Sequence, residues 1–211
     1  MPGTAAPVTG PRAVELLEGG VACLVPLLER VTPTDLGRCT PCRGWDLATL
    51  LLHLAEGVDT LTTCLPDEYP CEDSGPLRSV TELGERCGRM LDAWSAAVDS
   101  GSPEELCSWD GVMLPHRMVA RVGAMELAVH AWDVARAIAE PPIAAEGLAA
   151  NLLPWAPLLL QESSAFATPR PWPADAPALE RLVAGTGRDP RWSPLHPDSP
   201  AIVPRGDRHH T

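Results

Sequence analysis

The sequence predicts an all-α protein: a four-helix bundle followed by a Pro-rich C-terminal extension. Four stretches of the 211-residue chain repeat apolar residues at the spacing of an amphipathic helix. No stretch shows the regular apolar-polar alternation of a strong strand. Proline becomes frequent from Thr168 onward, so the end of the chain is not expected to continue the bundle.

The four main helices are bounded by turn residues and prolines. Pro26 lies within the first and predicts a kink or an early end there. Asp46 is a candidate N-cap of the second, and Pro141-Pro142 stops the fourth. The predicted bounds are Arg12–Val31, Leu47–Cys64, Val80–Val98 and His116–Ala139.

The remaining segments are predicted as follows. Residues 100–115 form a loop with a short extended piece at 111–114, and a further helix covers 144–166 with Pro154 as a disturbance. The bundle domain then spans 1–166, and the extension at 167–211 packs on it with one helix at 176–184. The tail after Pro194 is expected to be disordered.

Composition and charge exclude several classes of partner. The formal net charge of −12 is unsuited to a nucleic-acid partner, because phosphate binding needs a basic surface. No apolar stretch is long enough for a membrane span, and the first residues do not resemble a secretory signal. Seven cysteines without an export signal indicate reduced thiols in the cytoplasm. We therefore expect a cytoplasmic protein, monomer or homodimer, with a small-molecule partner.

A histidine, together with a glutamate and a second histidine at helical spacing, forms the main candidate for a metal site. Glu126 and His130 lie four apart on the fourth predicted helix, so both side chains can reach one point. His53 lies at the edge of the apolar stripe of the second helix. Two imidazoles and one carboxylate, with a fourth position for water, are a common catalytic zinc arrangement.

Spacing alone leaves a plainer interpretation open. A Glu and a His four apart also occur as a weak surface pair, and a histidine beside an apolar stripe is often a core residue with satisfied hydrogen bonds. The pattern by itself does not decide between these interpretations and a metal site.

Three segments in order along the chain carry a family resemblance. The segment TPCRGWD at 40–46, continuing to LHL at 52–54, resembles the first motif of the mycothiol-dependent maleylpyruvate isomerase family, which belongs to the DinB-like metal-binding superfamily. The segment MELAVHAWD at 125–133 is similar to its second motif. The segments FATPRP at 166–171, PADAP at 173–177 and GRDPRW at 187–192 resemble the ending of a single-domain actinobacterial branch.

This resemblance implies a fold, a ligand set and a chemistry. The fold is a DinB-like four-helix bundle, and the metal ligands are His53, Glu126 and His130. The implied ion is divalent, zinc first, with nickel or iron(II) as alternatives, and mycothiol is the implied cosubstrate. Arg43 departs from the motif, which usually has proline there, and a Pro-rich segment stands where the isomerase has a further domain. Isomerisation of maleylpyruvate itself is therefore not expected.

Other residues have two interpretations each. Cys39 and Cys42 form a single CxxC, which is a weak zinc signal and is better explained as coincidence. Asp133 either orients a metal ligand or caps the helix surface. His116 and Arg121 are candidate catalytic residues that bind a substrate carboxylate or shuttle a proton; solvated surface positions are the alternative. Arg43 is a second candidate for carboxylate binding.

Three functions fit these residues. The first is a metal-dependent enzyme in which a thiol adds to a small electrophilic metabolite, giving isomerisation or S-transfer. The second is a metal-dependent hydrolase or lyase that tailors a natural product. The third is a non-catalytic resistance protein that binds a small molecule in the bundle.

Overall fold

The computed structural model describes residues 12–65, 75–100, 105–109, 112–143, 145–161 and 166–194. This part of the chain is mostly helical, with seven α-helices, one turn of 3-10 helix at Pro33–Asp35 and one small hairpin. The helices are α1 (Ala13–Leu28), α2 (Leu47–Thr63), α3 (Val80–Ser100), α4 (His116–Ala137), α5 (Glu146–Leu152), α6 (Ala156–Gln161) and α7 (Ala178–Gly185). The predicted all-α class is thus confirmed at the level of a mostly helical chain.

The four long helices carry the core. Helix α1 packs most extensively on α4, and α2 contacts both α3 and α4. Their shared interior is aliphatic, and its largest fully buried side chain is Trp94, whose indole N–H donates to the carbonyl oxygen of Leu61 at 2.9 Å. Because α4 contacts both α1 and α2, most of its residues are buried and none is fully exposed, unlike a helix that faces solvent on one side.

Local signals set the ends of these helices. The Asp46 carboxylate accepts hydrogen bonds from the backbone N–H of Thr49 at 2.8 Å and from its hydroxyl at 2.6 Å, which confirms Asp46 as the N-cap of α2. Helix α1 continues through Pro26 and ends two residues later, at Leu28. The proline therefore lies in the last turn of α1, where it cannot donate to the carbonyl oxygen of Ala22, and the helix ends soon after this lost bond.

Two predictions about the middle and end of the chain were correct only in part, although the extended piece expected at 111–114 overlaps a strand. Strands β1 (Leu106–Trp109) and β2 (Val112–Pro115) form an antiparallel hairpin with Cys107 opposite Leu114, where only a loop with one extended piece was expected. The helix expected over 144–166 is two short helices, α5 and α6, separated at Leu153–Trp155. Pro154 lies in that break, so it ends the helix and does not merely disturb it.

The C-terminal segment returns to the body of the protein through α7. Helix α7, expected over 176–184, packs on α5, and the Glu146 carboxylate accepts from the backbone N–H of Ala178 at the start of α7, at 2.8 Å. The division of the chain at residue 166 stays a prediction. The expected disorder after Pro194 falls outside the described residues.

Two further observations concern the chain as a whole. Within the described ranges, no helix combines the length and apolar character needed to cross a membrane. The cysteines in those ranges are free thiols, namely Cys23, Cys39, Cys42, Cys64, Cys87 and Cys107. Cys71 lies outside the described residues.

Candidate metal centre

The structure brings His53, Glu126 and His130 together. The Glu126 Oε2 atom lies 3.2 Å from Nε2 of His130 and 3.9 Å from Nε2 of His53. One ligand atom from each residue lies within 4.8 Å of the others. Ligands of a tetrahedral zinc ion, at 2.0–2.1 Å from the metal, are roughly 3.3 Å apart. The Glu126–His130 pair already has this spacing, and the His53 side chain would have to move closer to complete a metal site.

Secondary structure explains this meeting. Glu126 and His130 occupy successive turns of one face of α4, as their spacing predicts. His53 comes from α2, which packs on α4. The imidazole of His53 is held between two rings: its centroid is 4.9 Å from that of Trp45 and 5.0 Å from that of His130.

One carboxylate oxygen of Glu126 contacts two histidines without forming a regular hydrogen bond. Its Oε2 is buried and has no hydrogen-bond partner of acceptable geometry in the part of the chain that the structure describes. Burial would raise the pKa of this carboxyl, but contacts with His130 and His53 outweigh burial and lower the pKa to about 2. A buried, ionised carboxylate oxygen without a hydrogen bond is costly unless a cation completes it. The donor set and this oxygen fit a divalent metal ion.

His130 is held from its other edge by Asp133. The Nδ1 atom of His130 is 2.9 Å from Oδ2 of Asp133, and Asp133 is fully buried. Burial of His130 would lower its pKa, but contacts with Asp133, Cys42 and Glu126 raise it well above the usual value. A raised pKa favours the ring protonated on both nitrogens, with Nε2–H facing Glu126. A metal ion would have to displace that Nε2 proton, while Nδ1–H keeps its contact with Asp133 and so leaves the Nε2 lone pair for the metal.

Asp133 is in turn held by two residues for which the sequence predicted no such contact. Arg188 Nη2 donates to Oδ2 of Asp133 at 3.0 Å, and the Cys42 thiol donates to the same oxygen at 3.1 Å. Burial would raise the pKa of Asp133, but the charge of Arg188 and the contact with His130 lower it to about 2. Arg188 belongs to the GRDPRW segment at 187–192, yet no local pattern indicated that it would reach α4.

Cys42, His130 and Asp133 form a second group whose ligand atoms lie close enough for a metal. Two of its members already have strong partners, because Asp133 is paired with Arg188 and Cys42 donates to Asp133. The Arg188 guanidinium also lies 3.4 Å from Sγ of Cys42, so a cation there would meet an existing positive charge. The first group, which offers a carboxylate oxygen without a regular hydrogen bond, fits a metal better.

The structure does not bring the predicted catalytic residues to this cluster. His116 begins α4, ten residues and therefore about 15 Å along the axis from Glu126, and its ring lies against Trp94. Arg121 is nine residues from His130, about 180° around the helix, and its guanidinium lies over the Trp155 ring. Arg43 is exposed in the turn that precedes α2. Their proposed substrate contacts stay predictions.

Comparison with known proteins places the chain in a family. Residues 18–135 match the model of the mycothiol maleylpyruvate isomerase N-terminal domain. The chain belongs to this family. The match contains all three residues of the first group and ends before α5, so the segment that carries Arg188 lies outside it.

The names of two relatives of this chain state no activity. Uncharacterised proteins from two strains of Mycobacterium tuberculosis are each 25% identical to it over 172 residues, covering 78% of this chain and 91% of the relative. No solved structure matches the chain significantly.

Proposed function

We propose that this member of the mycothiol maleylpyruvate isomerase N-terminal domain family binds one divalent metal ion through His53, Glu126 and His130. We further propose that it is an enzyme acting on a small electrophilic metabolite, with a low-molecular-weight thiol such as mycothiol as cosubstrate. The buried Oε2 of Glu126 lies 3.2 and 3.9 Å from the Nε2 atoms of His130 and His53 without a hydrogen bond of acceptable geometry among the described residues, and this observation carries the metal proposal.

Exposure supports an open position at the centre. The side chain of His130 is 3% exposed, whereas those of Glu126 and His53 are 20% and 33% exposed. The cluster is therefore closed on the His130 side and open to solvent on the His53 side. Three protein ligands with access from one side are typical of catalytic centres, whereas structural zinc sites use four closed ligands.

The residues around the cluster suit a role in thiol chemistry. A divalent ion at this position supplies Lewis acidity, which favours a bound thiolate over the thiol. Asp133 fixes the ring of His130, and the Trp45 ring covers one side of His53, so the two imidazoles keep their orientation during turnover. Addition of the thiolate to a conjugated electrophile forms a C–S bond and an enolate. Uptake of the proton that the thiol released gives the S-transfer product, whereas bond rotation and expulsion of the thiolate give the isomer.

Metal analysis of purified variants tests the metal proposal. We expect one equivalent of metal in the wild-type protein. Zinc is the first candidate because two imidazoles and one carboxylate with an open position are a common catalytic zinc arrangement, and nickel and iron(II) are alternatives because imidazole also suits these ions. His53→Ala, Glu126→Gln and His130→Ala should lose the metal. Cys42→Ser should retain it, because Cys42 belongs only to the second group. His116→Ala is the matched control for loss of a buried histidine of α4.

Two results would overturn this ligand set. Equal metal content in His53→Ala and the wild type would exclude His53, and loss of metal in Cys42→Ser with retention in His53→Ala would assign the ion to the second group. Circular dichroism of each metal-free variant checks that the helices are intact.

Thiol dependence tests the enzymatic proposal. Zinc-loaded protein is incubated with mycothiol and a panel of small conjugated electrophiles, and products are identified by mass spectrometry. Adducts or geometric isomers should form with the wild type and not with His53→Ala. Turnover that survives complete removal of thiols would reject thiol chemistry and indicate a hydrolase or lyase. Recovery of every compound unchanged, by metal-loaded protein, would reject catalysis on this class.

A further inference from the structure

Arg188 donates from two of its nitrogen atoms to the buried carboxylate of Asp133 on α4. Its Nε and Nη2 atoms donate to Oδ2 of Asp133 at 3.3 and 3.0 Å, and its Nη1 donates to the carbonyl oxygen of Thr186 at 3.0 Å. The arginine is 7% exposed, and Asp133 is fully buried. Guanidinium in this geometry fixes both the position and the orientation of a carboxylate.

The end of α7 explains why Arg188 points inward. Gly187 has φ of +85°, and its N–H donates to the carbonyl oxygen of Ala184 at 3.0 Å, while the Arg188 N–H donates to that of Val183 at 3.0 Å. These two bonds are those of a Schellman motif, which turns the chain sharply after a helix. The residue after the glycine is therefore directed back across the helix end, and here it reaches α4.

We infer that Arg188 is a positioning residue of the metal centre: it holds Asp133 in the orientation that keeps Nδ1–H of His130 hydrogen-bonded and Nε2 directed at the metal. This inference rests on the proposed metal site. It extends the site to a segment beyond residue 135, where the family match ends. The body of the protein supplies the ligands, and the C-terminal segment fixes the orientation of one of them.

The contacts that link Arg188 to Glu126 are all short. Arg188 meets Asp133, Asp133 meets Nδ1 of His130 at 2.9 Å, and the opposite ring nitrogen lies 3.2 Å from Glu126. Because Asp133 and His130 are almost completely buried, water cannot replace a lost partner easily. Without Arg188 the Asp133 carboxylate keeps only the weak Cys42 thiol donor besides His130, so its orientation, and with it that of the imidazole, is held less firmly. Substitution of such outer partners typically lowers metal affinity by about 10- to 100-fold.

Zinc affinity of matched variants tests the inference. Affinities are measured by competition with a chromophoric chelator, with zinc alone as the probe. Arg188→Met should bind zinc about 10- to 100-fold more weakly than the wild type. Arg188→Lys should recover only part of the loss, since one ammonium cannot reproduce the guanidinium contacts. Arg170→Met is the control, because Arg170 lies in the same segment, is exposed and pairs with Asp189.

A double-mutant cycle separates positioning from general stability. If Arg188 acts through Asp133, the double variant Arg188→Met/Asp133→Asn loses no more affinity than the weaker-binding single variant. Additive losses, an equal loss in Arg170→Met, or zinc binding by Arg188→Met as tight as that of the wild type would each overturn the inference. Tighter zinc binding by Arg188→Met than by the wild type would also overturn the inference, because Arg188 would then affect the site only by repelling the cation.

NMR of the imidazole nitrogens in the metal-free protein tests, independently of zinc, whether Arg188 maintains the hydrogen bond between His130 and Asp133. The Nδ1 proton of His130 should be protected from solvent exchange in the wild type and in Arg170→Met, and should lose that protection in Arg188→Met. Unchanged protection in Arg188→Met would overturn the inference. A wild type that binds no zinc but shows this NMR pattern would reject the proposed metal function while supporting the contact chain.

Discussion

The carboxylate of Asp133 lies 2.9 Å from Nδ1 of His130, on the ring edge opposite to the one that faces Glu126. The two ring nitrogens of one histidine therefore have separate partners. One edge is tied into the protein through Asp133, and the other faces an oxygen that has no hydrogen bond among the described residues. A metal ion on the Glu126 edge would complete that oxygen and leave the Asp133 contact unchanged.

The first prediction concerns stabilisation by zinc. A ligand that binds only the folded state stabilises it by about 2.7 kcal/mol at a concentration one hundred times its Kd. Zinc should therefore raise the Tm of the wild-type protein by several degrees, and Glu126→Gln should abolish most of this shift because a neutral amide replaces the ionised ligand. Thermal unfolding followed by circular dichroism, with zinc or with EDTA, measures the effect. A full zinc-dependent shift in Glu126→Gln would remove Glu126 from the ligand set.

The second prediction concerns the turn that delivers Arg188. A Cβ at Gly187 would lie 2.6 Å from Cβ of Ala167, and the φ of +85° is unfavourable for any residue with a side chain. Gly187→Ala should lower the free energy of unfolding by about 1–3 kcal/mol and weaken zinc binding. Gly185→Ala, where an added Cβ meets nothing within 4 Å, is the control and should change little. Urea denaturation gives both values, and equal stability of the two variants would contradict the role of the turn.

The third prediction follows from the buried His116. Its ring centroid is 5.7 Å from that of Trp94, and burial lowers its pKa below the usual value of 6.5, although Glu105 opposes the shift. Between the lowered native pKa and 6.5, the unfolded chain binds more protons than the folded one, so stability is full above 6.5 and is lost as the pH falls below it.

Substitution of His116 should reduce this acid sensitivity. His116→Phe keeps an aromatic ring against Trp94 and removes the titrating group. Urea denaturation in EDTA, over roughly pH 5 to 8 where histidine titrates, should show a shallower loss of stability on the acid side than in the wild type. Identical pH profiles would mean that the environment of His116 does not disfavour its charged form.

Sequence periodicity was informative where local signals agree with packing. The Asp46 cap and the apolar stripe of α2 predicted that helix to within a residue at each end, and the spacing of Glu126 and His130 predicted that both lie on one face of α4. The extended piece at 111–114 was predicted, but strand β1 and its pairing with β2 were missed because each strand is only four residues long. Their side chains, such as Val112 and Met113, are largely exposed and show no clear alternation of burial.

The outer contacts of the site could not be read from the sequence in the same way. The sequence left two equal interpretations of Asp133, orienting a metal ligand or capping the helix surface. A position in a helix does not by itself say whether a carboxylate faces solvent or pairs with a buried cation. The answer depends on Arg188, which approaches from another element far along the chain. The only signal for that approach is the glycine before Arg188, which marks a helix end but not the direction in which the chain returns.

The last prediction concerns the close approach of α4 to its neighbours. A Cβ at Gly123 would lie 2.6 Å from Cδ2 of Leu61 and 3.0 Å from Cδ2 of Leu17, so the absence of a side chain lets α4 pack closely on α2 and α1. Gly123→Ala should destabilise the protein on balance, because an overpacking cost of about 1–3 kcal/mol exceeds a helix-propensity gain of about 0.5–1 kcal/mol. Gly57→Ala is the matched control, since an added Cβ on α2 meets nothing within 4 Å and should gain about 0.5–1 kcal/mol from helix propensity. Urea denaturation of both variants should therefore give free-energy changes of opposite sign. A stabilising Gly123→Ala would mean that α2 and α4 separate at little cost, and the distance between His53 and Glu126 would then not be fixed by their packing.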